Sequence, residues 1–454
     1  MTRDIDVAIV GGGIVGSVVA RWLADGGARV LVLDAGSPAS AVPGTHLRNV
    51  PACRADRSFY HDLVRAHLRP ASVPLPKESP LGPPMPEGHG LNAEQRSGRN
   101  MPAARVTNVL GGMGALWNCV TPRLDEWPGI SEAEYVRAEE TLAVGLWGSA
   151  GSRRQEAILD ALGPPAQAAP LAGRRDRWTG PAEILGEGIP VLSQHSVRKL
   201  IHRGSRVVEA EAVALDSGEV TTIAAETFVV AAGGIRTPAL LAASGIGSDA
   251  LGRYLYDHPL AYGQLVLRGE GFAGDPDPFV IVPMGESRPW HALLLCDSYD
   301  ASVLEGRIDD SLLVGLYWYT LMEPRRENRI VFGRATDSVG LPQATFEYAL
   351  EQADRDRLQA ALEDLRTAGQ LLGTFLPTRP PQLLSAGSSM HLLGTTRTGE
   401  ADDGESVVDP TGRVWGFENL YLGGLGVVPC ATATNPTLAV CAFAARTADR
   451  ILGR

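Results

Sequence analysis

Nine histidines and five cysteines are the residues of this 454-residue chain best suited to chemistry near neutral pH. One of them, His391, sits in the glycine- and threonine-rich stretch "SSMHLLGTTRTG" (388–399). It has no second His at i+4, no nearby Cys and no Ser in a GxSxG elbow. Taken alone, it reads better as a satisfied turn histidine than as a catalyst. The other histidines show no metal-ligand spacing, and no metal is expected. The cysteines (Cys53, Cys119, Cys296, Cys430 and Cys441) are odd in number, widely spread and free of CxxC. That pattern excludes a disulfide framework or zinc site and fits a reducing, cytoplasmic compartment.

The elements that could give His391 a role begin at the other end. "DVAIVGGGIVGSVVARWLADGGARVLVLD" (6–34) reads as strand, turn, helix and second strand. Gly11, Gly13 and Gly16 form GxGxxG at the strand-to-helix turn, and Asp34 ends the second strand. This chemistry needs those types. Gly11 makes the turn, Gly13 lets backbone N–H groups approach a pyrophosphate, and Gly16 permits close helix–strand packing. The helix N-terminus attracts the phosphates, and Asp34 accepts from ribose hydroxyls. The motif alone does not separate FAD from NAD. Its position at the N-terminus of a long chain leans to FAD.

Composition narrows the class. Hydrophobic content of 44% and charged content of 20% describe a globular protein with a sizeable core. A formal net charge of −11 argues against nucleic acid and anionic membrane surfaces as partners. It permits neutral or cationic small molecules. Of 41 basic residues only Lys77 and Lys199 are lysine, which leaves little scope for Schiff-base chemistry. No apolar run reaches transmembrane length.

Residues 69–103, rich in Pro, Gly and polar types, predict a long loop, either a lid or disordered. "NVLGGMGALWNC" (108–119) follows, with glycines that let the backbone pass over something flat. Met113 and Trp117 are candidate neighbours of that flat group. Residues 189–234 predict several strands with turns at "HRGS" and "DSGE". A helix should begin in "IRTPALLAASGIG", with Thr237 as cap and Pro238 at its first position. Six apolar stretches between 259 and 350 predict one antiparallel sheet with one face on the core and one on a cavity. In "LYWYT", Trp318 should point opposite to Tyr317 and Tyr319. A helix is expected over 351–372, and "TNPT" (434–437) predicts an Asn cap with Pro at the first helical position.

In this order the pieces resemble the glucose–methanol–choline (GMC) family of FAD-dependent oxidoreductases over essentially the whole chain. The likeness rests on the GxGxxG unit, "NVLGGMGALWNC", "FVVAAGGIRTPALLAASGIG" and a C-terminal run containing "HLLGTTRTG", "LGGLGVVP" and "TNPT". It is nearest the pyranose 2-oxidase and C-glycoside oxidase branch. The resemblance implies an α/β fold (an α+β composite), a Rossmann-like FAD-binding domain with an antiparallel-sheet substrate domain. It divides the chain into 1–125, 186–258 and 388–454 for FAD, 126–185 as a connection and 259–387 for substrate. It implies that His391 is the base for an alcohol, with Asn435 beside it. A neutral imidazole suits that task, because hydride transfer from a carbinol also requires the O–H proton to leave. The resemblance also places Gly112, Asn118, Cys119, Val197, Gly233, Gly426, Asn435, Pro436 and Thr437 at the cofactor. His258 in "DHP" reads as structural. Leu116 stands where covalent relatives carry a flavin-linking His, which predicts non-covalent FAD.

The function expected is oxidation of a sugar or glycoside hydroxyl, with electrons passed to O₂ or another acceptor. An aminosugar or other natural-product alcohol, and a non-redox lyase of the same family, are the alternatives.

Overall fold

The computed structural model describes residues 5–74, 91–296 and 312–454, apart from positions 125, 128, 149, 150, 176, 271 and 273. The first unit forms as its pattern requires. β1 (Val7–Val10) is buried throughout, α1 spans Ile14–Asp25, and β2 (Val30–Leu33) lies parallel to β1 with Val7 opposite Val30. Further along come β3 (Val191–Leu192), an antiparallel meander of β4 (His195–Arg203), β5 (Arg206–Ala214) and β6 (Val220–Ala224), and then β7 (Thr227–Val230). The expected turns at 202–205 and 216–219 separate the meander strands.

α2 spans Gly233–Ala243, so it starts four residues before the expected cap Thr237 and carries Pro238 in its interior. Proline has no N–H, so the carbonyl four residues back loses its helical donor. That carbonyl belongs to Gly234, and Thr395 Oγ1 donates to it at 2.7 Å. A tertiary contact therefore satisfies the group that local reasoning used to end the helix.

β8 (Leu260–Leu267), β9 (Phe279–Val282), β10 (Trp290–Leu295) and β11 (Leu313–Thr320) form an antiparallel sheet. Short strands at 167–168, 373–375 and 382–383 join it. The remaining two apolar stretches, β12 (Arg329–Thr336) and β13 (Pro342–Glu347), form a separate two-stranded sheet, which corrects the one-sheet expectation. Their Ile330 and Phe346 pack in the core of the parallel sheet instead. α3 (Gln352–Leu372) covers one face of the large sheet. There the indoles of Trp290 and Trp318 both donate to Asp364 Oδ2 at 2.7 Å. Alternation along β11 sends Tyr317 and Tyr319 to the other face.

β14 (Leu420–Leu422) completes a parallel sheet in the order β3–β2–β1–β7–β14, and α4 (Thr437–Ile451) packs against α1. Pro436 is the N-cap of α4, so Asn435 lies just outside the helix rather than capping it. The predicted loop 69–103 is tied at its described ends: 68–70 pairs with 105–107, and 73–74 with 91–92. Its middle, 75–90, lies outside the described residues. Among the described residues no helix is long and apolar enough to cross a membrane. No group of three His, Cys, Asp or Glu among them could hold a metal ion.

Candidate active site

One cavity of about 450 Å³ runs from the GxGxxG turn to His391. At its first end, Gly11 has φ +103°, and a Cβ there would meet Ala231 O at 2.5 Å. A Cβ on Gly16 would come within 1.9 Å of Gly11 O. Both positions exclude side chains for steric reasons. Gly13 is the N-cap of α1 and supplies no side-chain cap, so the first-turn amides keep their donors for an anion. Asp34 is buried and accepts from the amides of Gly12 (2.8 Å) and Gly36 (2.6 Å). Burial raises its carboxyl above the usual range, while those amides pull it back down. Each carboxylate oxygen keeps lone-pair capacity for a hydroxyl. Free N–H donors at the start of α1 and a buried carboxylate at the end of β2 fit an adenine dinucleotide.

Of the residues expected at the cofactor, Gly11, Gly13, Asp34, Gly112 and Asn118 line the cavity. So do Val197, Gly233, Asn435 and Thr437, and Met113, Leu116 and Trp117 as well. Four do not. Gly16 is buried against Gly11, and Pro436 caps α4. Cys119 adopts φ +61° and points its thiol into the protein, toward Thr179 O at 3.6 Å. Gly426 is needed by packing: a Cβ there would meet Thr396 Oγ1 at 2.5 Å. Its carbonyl also accepts from Thr396 N, clipping "LGGLG" to "LLGTT".

At the other end, an antiparallel bridge pairs Tyr256 with Leu393. Continuing that register sets residue 258 opposite residue 391. His391 Nδ1 lies 3.1 Å from His258 Nδ1, with the rings edge to face and 5.0 Å between centroids. Asp257 holds the turn that presents His391, accepting from the amides of Gly387 (2.9 Å) and His391 (3.2 Å) and from Ser389 Oγ. Met390, immediately before His391, has φ +59°, a conformation uncommon for a side-chain-bearing residue. The Tyr319 ring lies 5.7 Å from that of His391. Asn435 Oδ1 is buried and has no hydrogen-bond partner among the described residues.

Burial lowers the His391 imidazole to about 4, and it drives His258 well below its ordinary range. His291, which pairs across the sheet with Tyr319, is pushed by burial to about 3. Asp257 is raised by burial to about 6. The imidazoles are therefore neutral near pH 7.

Sequence reasoning passed over Asp257, His291 and the pairing of His258 with His391. The "DHP" triplet held a signal, but its meaning depends on the 256–393 bridge. Arg48 and Tyr60, also on the cavity wall, had no signal at all.

Two family models described as GMC oxidoreductase match residues 176–260 and 324–444, and one described as FAD dependent oxidoreductase matches 6–69. The C-glycoside 3-oxidase of Arthrobacter globiformis is 30% identical over 98% of this chain and 95% of its own. The pyranose 2-oxidase of Tricholoma matsutake is 28% identical over 98% and 93%. The paromamine 6'-oxidase of Streptomyces fradiae is 33% identical over 32% of this chain and 26% of its own. A crystal structure of pyridoxine 4-oxidase from Mesorbium loti superposes with a TM-score of 0.68 at 20% identity, covering 98% and 99% of the two chains, which shows a shared fold. The glycine turn, the buried Asp34 carboxylate and a cavity ending at the half-buried imidazole of His391 thus occur in a chain that belongs to the GMC oxidoreductase family, an FAD-dependent oxidoreductase acting on CH–OH groups.

Proposed function

We propose that this enzyme oxidises a hydroxyl of a sugar or glycoside to the carbonyl, with His391 as the base. The observation that carries the reading is that a neutral, half-buried imidazole and Asn435, whose Oδ1 has no hydrogen-bond partner among the described residues, line the same cavity. Bound FAD supplies the hydride acceptor. His391 Nδ1 is engaged by His258, so the substrate's O–H proton goes to Nε2. Asn435 cannot take a proton at neutral pH, and its amide orients the alcohol. The Tyr317 and Tyr319 rings offer a flat wall for a sugar ring.

The full-length relatives named for pyranose and C-glycoside oxidation support this substrate class. A cationic aminosugar is less well served: Arg48 and Arg105 are on the described wall, and the one described carboxylate there, Asp34, belongs to the ribose end. FAD is held without a covalent link, because Leu116 has no nucleophile to attach it. Residues 1–125, 186–258 and 388–454 carry FAD and 259–387 present substrate, joined by 126–185. No disulfide joins the five cysteines and four of them are buried, which supports a cytoplasmic location. O₂ or another acceptor reoxidises the flavin.

The test is anaerobic mixing of the yellow holoenzyme with pyranoses, aryl C-glycosides and aminosugars. Loss of the oxidised flavin's visible absorbance is expected with the first two. A substrate converted with the oxidised spectrum unchanged would identify a non-redox lyase instead. Acid precipitation should leave a colourless pellet and all FAD in the supernatant.

A further inference from the structure

We propose that His258 is a positioning residue that holds His391 in the Nδ1–H tautomer, so that Nε2 presents its lone pair to the substrate hydroxyl. The proposal rests on the reading of His391 as base.

Two Nδ1 atoms 3.1 Å apart can share one proton only, so one ring donates and the other accepts. If His258 donated, His391 would carry its proton on Nε2 and could not receive another there. If His391 donates, Nε2 is free, and protonating it gives an imidazolium whose Nδ1–H already points at an acceptor. No ring flip or rearrangement is then needed during turnover.

The surroundings fix this contact rather than merely permit it. The Tyr256–Leu393 bridge sets the register, and the neighbouring Asp257 carboxylate holds the amides of Gly387 and His391. The residues 257 and 258 thus grip the 387–391 turn by its backbone and its ring together. The Tyr319 ring contacts both imidazoles, at 5.7 Å from His391 and 6.1 Å from His258. Accepting at Nδ1 places the His258 proton on Nε2, which is buried with no hydrogen-bond partner among the described residues; the arrangement carries the cost of that buried donor. The titratable groups facing the pair are Asp257 beside it, His291 from β10 and Tyr319 from β11.

The experiment has a spectroscopic and a kinetic arm. In FAD-loaded enzyme labelled with ¹⁵N-histidine, the His391 resonances are assigned by their loss in His391→Gln. Protonated Nδ1 and unprotonated Nε2 are expected; the reverse assignment overturns the proposal. In the kinetic arm, His258→Phe removes the acceptor. The flavin-reduction rate should fall about 10- to 100-fold, the size seen when groups orienting a ligating histidine are lost, with KM little changed. An acceptor favours protonated His391, so its removal should also move the acidic limb of the rate profile to lower pH. His258→Gln, which restores an acceptor oxygen, should recover part of both. A His258→Phe enzyme with the wild-type rate and limb overturns the proposal while leaving His391 as base. A His391→Ala enzyme with the wild-type rate overturns the underlying reading. Should His258→Phe fail to retain FAD, the wild-type spectrum still decides.

Discussion

The two ends of the cavity are built on opposite principles. At the GxGxxG end the polar work is done by backbone amides, and the one acidic side chain, Asp34, is itself bonded to two of them. At the His391 end the polar groups are side chains brought from positions 257–258, 317, 319, 391 and 435, and some of their buried atoms have no partner among the described residues. Stability favours satisfying buried polar groups. Asn435 Oδ1, unpaired among the described residues, departs from that rule on the cavity wall. The glycine turn and its carboxylate are therefore encoded within one short stretch, whereas the His391 end is assembled across the chain.

The contrast is sharpest if damage at each end has a different signature. Gly16→Val should have the largest effect, because a side chain there drives into Gly11 O. The purified protein should be colourless and take up no FAD on reconstitution; normal yellow protein would remove the steric account of the turn. His391→Ala should keep its FAD, since the glycine turn is remote. Its flavin-reduction rate, followed by stopped flow, should fall by about 10² to 10⁴, the usual share of general-base catalysis. Asn435→Ala should slow reduction less and keep the acidic limb.

Asp34→Ala comes next. Losing a hydrogen bond to a charged acceptor costs about 1–3 kcal/mol, roughly a 5- to 150-fold weakening of FAD binding. Equilibrium dialysis would measure it, and an unchanged affinity would show that the ribose is held elsewhere.

Acid stability separates the ends most gently. His46, His291 and His391 are held by burial at about 3, 3 and 4, below the 6.5 of an unfolded histidine. As pH falls from about 6.5 towards 4, the unfolded chain takes up protons that the folded chain refuses, so folded stability declines. Asp257, raised to about 6, works in the other direction between about 6 and 3.8, because there the folded state binds the extra proton. Each of these histidines steepens the decline by at most about 1.4 kcal/mol per pH unit. His258 acts in the same direction, and Asp257 offsets about one of them within its window. Urea midpoints measured across this range should fall with pH. In a His391→Gln variant the decline should be shallower.

The sequence by itself determined the β1–α1–β2 unit, because its glycines, strand pattern and acidic end lie within one span of residues where local sterics decide conformation. It also determined that Trp318 and the flanking tyrosines face opposite ways, a consequence of the two-residue period of a strand. It marked His391 and Asn435 only through the family resemblance. What only the tertiary structure decided is everything that depends on a distant partner. Pro238 sits inside α2 because Thr395 satisfies the carbonyl it frees. β12 and β13 leave the large sheet because their apolar faces find the parallel-sheet core. Cys119, adjacent in sequence to the cavity-lining Asn118, turns away because its backbone takes a left-handed conformation. His258 meets His391 across 133 residues because one bridge sets their register. Hydrophobic period and turn chemistry are properties of neighbours along the chain, whereas these contacts are properties of neighbours in space.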